Sequence, residues 1–243
     1  DRVVATRQEI LDDYITHYGP EHPIVIKTLW TLAELTRPRP ISIEYYQRII
    51  RALNKDAPHC HHDAIEPLII VVTELWNQNR YSDAVQYYSL LFATFLNDAK
   101  KHPKLQAPDF VDEFFTRYTH CLRSVRTEYT KIHKVTVEYQ TKVKVVFGAT
   151  ASITITATVT LAKVCQESKR FETDAIALYE ELLTIESTEI DREEITAILD
   201  GIYEEQTAIA MSKSESISTT QIERASRVLR KRISSVRETY GWA

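Results

Sequence analysis

An aromatic residue followed by glycine recurs three times in this chain, and the spacing of the copies constrains the fold more than any other feature. The three pairs each end a stretch with helical periodicity and are Tyr18-Gly19, Phe147-Gly148 and Tyr240-Gly241. Their glycines lie 129 and 93 residues apart, close to three and two units of about 43 residues. A period in that range is typical of a helical solenoid, whose units bury their apolar faces only against one another.

The first two glycines are followed by the same apolar pattern at matching spacing. After Gly19 the pattern is Ile24, Ile26, Leu32, Ala33 and Leu35, and after Gly148 it is Ile153, Ile155, Leu161, Ala162 and Val164. We therefore expect the two segments to be equivalent parts of two repeats.

Composition agrees with long helices joined by short turns. The 243 residues include only four glycines and eight prolines, and no proline follows Pro108. The net charge of −4 gives no general attraction to nucleic acid or to an anionic membrane. Three cysteines, odd in number and far apart, favour a reducing compartment over a disulfide framework, so we expect a cytoplasmic protein.

Apolar periodicity predicts a leading helix and five helix pairs. The leading helix ends near Tyr18, and Asn79 is expected in a turn because asparagine tolerates the left-handed conformation. The boundary within residues 108–147 is expected near 123–128. The paired segments are 23–36 with 43–53, 68–76 with 81–95, the two halves of 108–147, 149–168 with 172–187, and 190–212 with 217–240.

One local pattern disagrees with this prediction. Residues 153–161 alternate apolar and polar side chains and are rich in β-branched types, which is the usual signature of a strand. Their alignment with residues 24–35 favours a helix instead, and tertiary context often overrides local propensity. We expect a helix here, with an extended strand as the alternative.

Several motifs resemble the tetratricopeptide repeats of kinesin light chains. The matching residues are Gly19-Pro20-Glu21-His22-Pro23, Thr28-Leu29, Leu32-Ala33, Leu35, Tyr81-Ser82-Asp83-Ala84, Tyr87-Tyr88, and Phe171 and Ala175 before Leu178-Tyr179-Glu180-Glu181-Leu182. The resemblance implies an all-α fold, a right-handed α-solenoid of antiparallel helix pairs. It also implies that residues 1–243 form a single array, and since the chain stops at Gly241-Trp242-Ala243, we expect a fragment of a longer repeat protein.

The chain departs from that family in ways that bear on function. Trp30-Thr31 and Val159-Thr160 stand where kinesin light chains carry paired asparagines, and Ala151-Ser152 replaces His-Pro in the second glycine unit. Binding of kinesin is therefore not implied.

In the tetratricopeptide geometry the first helix of each pair lines a concave surface that receives peptides or partner helices. Alignment of the repeats makes Glu34, Glu74 and Lys163 equivalent, with Trp30, Ile70 and Val159 four residues earlier. An exposed tryptophan beside charges is a plausible anchor for a partner. The predicted partner-binding residues are Trp30, Thr31, Glu34, Ile70, Glu74 and Lys163. The alternative for Trp30 is packing between helices.

The densest set of metal-capable side chains is His59-Cys60-His61-His62-Asp63. Adjacent ligands in such a run converge on one ion only with strain, and His120-Cys121 is a remote second pair. We therefore interpret the segment as an interhelical turn that caps the following helix, and we predict no metal and no other cofactor.

Charge is segregated near the C-terminus. Residues 172–205 hold twelve acids and one base, whereas residues 224–237 hold six bases and no acid. The exposed bases are predicted to be Arg224, Arg227, Arg230, Lys231 and Arg237. The ordinary interpretation is a solvated helix face beside an acidic neighbour. A patch for an acidic partner or RNA is the alternative, which the lack of interleaved aromatic residues disfavours.

No sequence motif points to catalysis, because phosphate-binding glycine loops, Gly-x-Ser-x-Gly and His-Glu-x-x-His are all missing. The sequence favours a non-enzymatic scaffold that binds a protein or peptide on a concave helical surface. A structural or self-associating segment of a larger protein is the second hypothesis. A basic-patch nucleic-acid binder and an enzyme with a dispersed site are the least favoured, and no membrane partner is expected.

Overall fold

The computed structural model describes residues 2–37, 39–54, 60–187 and 190–213, and these residues form ten α-helices and no strand. The prediction of an all-α fold is confirmed. The helices are α1 (Arg2–Tyr18), α2 (Pro23–Thr36), α3 (Ile41–Leu53), α4 (Ile65–Asn77), α5 (Tyr81–Asp98), α6 (Pro108–Ser124), α7 (Tyr129–Phe147), α8 (Ser152–Gln166), α9 (Glu172–Thr184) and α10 (Arg192–Lys213). Across these ranges no helix combines the length and the apolar character needed to cross a membrane.

The helices follow the period predicted from the glycine spacing. Five first helices begin at intervals of 40 to 44 residues, at Pro23, Ile65, Pro108, Ser152 and Arg192. The break between α6 and α7 falls at residues 125–128, as predicted. Residues 217–240, the predicted partner of α10, and the basic side chains within them lie outside the described residues.

The chain divides into two compact units, Asp1–Phe147 and Gly148–Ala243. In the first unit each helix from α1 to α7 packs against the next helix along the chain. In the second unit α8 packs against α9, and α9 against α10. Short connections and nearest-neighbour packing are the properties of a helical repeat protein.

The turn between α1 and α2 explains the motif that carries the family resemblance. Gly19 has a φ of +83°, a left-handed conformation that ends α1, and its N–H donates to the carbonyl of Ile15 at 2.9 Å. The His22 Nδ1 atom then accepts a hydrogen bond from the Ile24 N–H at 3.3 Å and caps α2. Pro23 occupies the first turn of α2, where its missing N–H costs nothing.

The turn between α7 and α8 also contains a left-handed glycine, but a different side chain stabilises it. Gly148 has a φ of +99°, and Ala151, which stands in place of the capping histidine, makes no side-chain cap. The hydroxyl of Thr154 instead donates to the carbonyl of Gly148 at 2.6 Å. A threonine inside the helix thus ties the turn to α8.

Residues 153–161 form part of α8, so the helix that the repeat alignment favours is confirmed. Thr154 and Thr158 are buried, at 2% and 4% exposure, on the same face as Ala157 and Leu161. The Thr158 hydroxyl donates to the carbonyl of Thr154 at 2.8 Å. A threonine hydroxyl that is hydrogen-bonded to the preceding helical turn does not need water as a partner, so these threonines pack in the core. The alternation of apolar and polar residue types in the sequence therefore does not match the pattern of burial.

Two further turns use a left-handed residue that is not glycine. Asn79 has a φ of 56°, as predicted, and Arg126 has a φ of 54°, which the sequence did not suggest. Both turns close with a hydrogen bond spanning five residues, from the Arg80 N–H to Leu75 at 2.9 Å and from the Thr127 N–H to Leu122 at 3.0 Å. This arrangement is a Schellman motif, which satisfies the last carbonyl groups of α4 and α6.

Replacing Gly148 and Gly201 by alanine is expected to have opposite effects on stability. Gly148→Ala forces a side chain into the left-handed region and lowers the free energy of unfolding by about 1–2 kcal/mol. Gly201 lies inside α10 with open space around an added methyl group, so Gly201→Ala raises it by about 0.5–1 kcal/mol. Urea unfolding followed by circular dichroism measures both. A Gly148→Ala variant as stable as the parent would contradict the left-handed conformation of Gly148.

Candidate functional site

A groove of about 920 Å³ lies in the first unit between α2, α3, the start of α4 and the turn that precedes α6. Its apolar lining residues are Pro23, Ile26, Trp30, Ile49, Leu53 and Pro103. Its polar lining residues are Lys27, Thr31, His62, Asp63, Glu66 and His102. Apolar and polar residues are thus equal in number, and apolar surface combined with convergent polar groups is common in binding sites.

Trp30 is half-buried and lines this groove. Its ring meets the ring of Tyr46 edge to face, with centroids 5.7 Å apart and an interplanar angle of 85°. Tyr46 is fully buried in α3, so the tryptophan is held from behind while part of its surface stays accessible. Thr31, also on the groove wall, donates its hydroxyl hydrogen to the carbonyl of Lys27 at 3.0 Å. Packing between helices and exposure to the groove therefore coexist at Trp30.

Glu34 and Glu74 lie beside each other because Arg37 contacts both. The Arg37 guanidinium is 3.8 Å from each carboxylate, and its side chain is 42% exposed. Solvent at that exposure limits the value of these ion pairs to less than about 1 kcal/mol each. The Tyr46 hydroxyl also donates a hydrogen bond to Glu34. Burial and this carboxylate raise the pKa of Tyr46 above its ordinary value, so the hydroxyl keeps its proton.

Ile70 and Lys163, the other two predicted residues, have different surroundings. Ile70 is half-buried on α4, one helical turn from both Glu66 and Glu74. Lys163 lies in the second unit, where its ammonium is 3.7 Å from the carboxylate of Glu194. Trp30, Thr31, Glu34, Ile70 and Glu74 thus belong to one unit, and participation of all six residues in one binding surface stays a prediction.

Sequence reasoning missed the polar residues on the far side of the groove. Glu66 is ion-paired with Lys104 at 2.9 Å, and His102 lies on the same wall. The Nδ1 atom of His102 is buried and has no hydrogen-bond partner among the described residues. Burial lowers the pKa of this histidine, which favours the neutral ring. Glu66 lies one helical turn before Ile70, so the repeat alignment could have identified it. His102 lies in a connection between helices, which no repeated sequence pattern marks.

The histidine-rich segment forms the turn that the sequence predicts. The Nδ1 atom of His61 accepts a hydrogen bond from the Asp63 N–H at 3.3 Å and caps the single 3₁₀ turn before α4, His62–Ala64. His59 lies outside the described residues, and Cys60 is buried. The ligand atoms of His61, His62 and Asp63 nevertheless lie within 4.8 Å of one another. His120, from the remote second pair, packs against Trp76 and Tyr81 instead.

Comparison with known proteins adds little to this geometry. No family model matches the chain, and no curated protein matches it. Among solved structures, the crystal structure of BtubC (BKLC) from P. vanneervenii is similar, with 12% sequence identity and a TM-score of 0.40. The match covers 99% of this chain and 91% of that chain. At that TM-score the likeness supports no functional conclusion. The choice of this groove as the candidate binding site therefore depends on its geometry alone.

The three cysteines are expected to be unreactive in the folded protein. All three are buried, and burial raises the pKa of Cys60, Cys121 and Cys165 to about 11. A raised pKa leaves less of the nucleophilic thiolate, so modification by a chromogenic disulfide reagent at mildly alkaline pH should be at least about tenfold slower than for a free thiol. The same reagent in guanidinium chloride, where all three should react at the free-thiol rate, is the control. A fast-reacting thiol in the folded chain would contradict the burial.

Proposed function

We propose that this chain is a non-enzymatic interaction scaffold that binds a peptide segment of a partner protein in the groove beside Trp30. The accessible part of the Trp30 ring, held against Tyr46 on the wall of a groove of about 920 Å³, is the observation that carries the proposal. Tryptophan is enriched among the residues that dominate binding energy at interfaces, especially where its position is fixed before binding.

The occupant we propose is a short segment that inserts one large apolar side chain against Trp30 and Pro103. Ile26 and Ile49 supply further apolar surface to the same groove. Lys27 and Thr31 also line the groove, where the ammonium of Lys27 can donate to the backbone of the bound segment and the hydroxyl oxygen of Thr31 can accept from it. Apolar burial combined with a few direct hydrogen bonds is common in protein interfaces.

The state of the ionisable groups supports binding rather than catalysis. Glu66 forms an ion pair with Lys104 at 2.9 Å, and Asp63 lies 3.6 Å and 3.2 Å from the imidazole nitrogens of His61 and His62. Among the described residues that line the groove, the one hydroxyl is that of Thr31, and its hydrogen is already donated to a backbone carbonyl. A nucleophile next to a general base, the usual mark of covalent catalysis, is not formed by these lining residues.

The repeat period supports a wider proposal about the whole chain. The regular interval between the starts of the described first helices supports a single series of repeats over residues 1–243. We propose that this series acts in the cytoplasm, as the unpaired, buried cysteines suggest.

The test is a selection of peptides on the purified chain. A random peptide library displayed on phage is selected on the parent chain after removal of clones that bind Thr31→Arg. The affinity of the enriched peptides is then measured by fluorescence polarisation. We expect Thr31→Arg, which places a long charged side chain in the groove, to weaken binding at least tenfold, equivalent to about 1.4 kcal/mol.

Thr160→Arg is the matched control. Thr160 occupies the equivalent repeat position on α8, is half-buried like Thr31, and donates its hydroxyl hydrogen to the carbonyl of Thr156 at 2.8 Å. Its replacement should leave the affinity of the selected peptides unchanged. Equal loss in both variants, or no enrichment beyond the clones that bind Thr31→Arg, would contradict the assignment of the groove.

A further inference from the structure

We infer that His61, His62 and Asp63 form a binding site for a divalent transition-metal ion, with zinc as the best fit, on the wall of the groove. The three side chains are exposed, and one ligand atom of each lies within 4.8 Å of the others. This site departs from the sequence-based prediction of no metal, which rested on the strain of bringing adjacent residues together.

The strain is relieved because the backbone conformation changes between His61 and His62. His61 is in an extended conformation, with a φ of −60° and a ψ of 142°, and His62 begins the 3₁₀ turn. The change of direction brings the Asp63 carboxylate to 3.6 Å from the Nδ1 atom of His61 and 3.2 Å from that of His62. Ligands of a tetrahedral zinc ion are about 3.4 Å apart, given bonds of about 2.1 Å, so these separations need only small adjustments. The Nδ1 lone pair with which His61 accepts the Asp63 N–H becomes the metal ligand, so the ion replaces that hydrogen bond of 3.3 Å.

The backbone of the segment is fixed before any ion binds. The His61 N–H donates to the side-chain carbonyl of Asn54, the residue that follows α3, at 2.6 Å. The Asn54 amide also contacts the buried sulfur of Cys60 at 3.7 Å, and the Ala64 N–H donates to the carbonyl of His61 at 2.8 Å. A site whose ligands are held in place loses less conformational entropy on binding, which favours affinity.

The donor set indicates the class of metal. Two imidazoles and one carboxylate suit zinc and its neighbours in the first transition series, whereas calcium and magnesium require mainly oxygen ligands. Three protein ligands leave one tetrahedral position for water or for an incoming group. His62 and Asp63 also line the groove, where His102 has a buried Nδ1 atom without a partner among the described residues. A bound ion would therefore lie beside Trp30's groove.

The experiment uses the full chain with any purification tag removed, because a histidine tag would itself bind zinc. Zn²⁺ is titrated into the protein in competition with a chromophoric chelator, and Co²⁺ is added separately to record its visible absorption. We expect one high-affinity Zn²⁺ per chain and a Co²⁺ spectrum of a four-coordinate site. His62→Ala and Asp63→Asn should each weaken Zn²⁺ binding by at least about tenfold.

These two variants are chosen because they leave the turn intact. The cap is made by His61 and by the backbone of Asp63, and neither variant removes it. His17→Ala, which removes an exposed histidine on α1 whose ring donates to the carbonyl of Asp13, is the matched control and should not change affinity. Circular dichroism of each variant verifies the helical content.

Stoichiometric Zn²⁺ binding that is lost in both variants and kept in His17→Ala supports the site. Unchanged affinity in His62→Ala or Asp63→Asn would overturn it, as would equal weakening in His17→Ala or the lack of any stoichiometric binding. Saturation by Ca²⁺ or Mg²⁺ at equal concentration, in place of Zn²⁺, would overturn the assignment of the metal class. None of these outcomes depends on the peptide proposed for the groove.

Discussion

Burial of the apolar face of each helix against its neighbours in the chain is the interaction on which the rest of this structure depends. The helices are 13 to 22 residues long, a length at which an isolated helix is only marginally stable in water. In α2, Leu29 and Leu32 are almost fully buried, and in α3 so are Tyr46 and Ile49. Each hairpin is therefore stable only as part of a stack, and the direction of every connecting turn matters.

Turn direction is controlled by a few left-handed residues. Gly19 and Gly148 end α1 and α7, and Asn79 and Arg126 do the same for α4 and α6. The motif Gly-x-x-His-Pro adds a capping histidine to the first of these turns, whereas a threonine hydroxyl supports the equivalent turn before α8. Different side chains satisfy the same backbone groups, which explains why the sequence similarity between repeats is low while the helix period is kept.

The groove combines parts of the chain that are distant in sequence. Trp30 packs from α2 against Tyr46 and lines the groove, and the connection that carries His102 and Pro103 lines it as well. The residues that hold the wall, namely Tyr46, Glu34 and Arg37, are linked to one another by a hydrogen bond and an ion pair. A rigid wall beside an open groove is the arrangement that a recognition surface requires, and the histidine turn adds metal-capable groups at the same place.

Much of the fold was predictable from local pattern. Apolar periodicity located the helices, and glycine spacing located the repeats, because both depend on residues near one another in the chain. The alternation of residues 153–161 indicates a strand only if each threonine is taken to face solvent, whereas in the helix Thr154 and Thr158 are buried. The left-handed Arg126 was missed because arginine has no intrinsic preference for that conformation, and packing on both sides of the turn must impose it.

Only the part of the candidate site that α2 contributes was predictable from the sequence. Trp30 and Thr31 were found because repeat alignment places them on the exposed face of a first helix, whereas His102 comes from a connection far away in sequence. The amino-acid sequence by itself determined the helical class, the period and the turns, since these follow from propensity and spacing. Only the tertiary structure decided that Arg37 joins Glu34 to Glu74 and that His62 and His102 share a groove, because contacts between distant residues depend on how the helices stack.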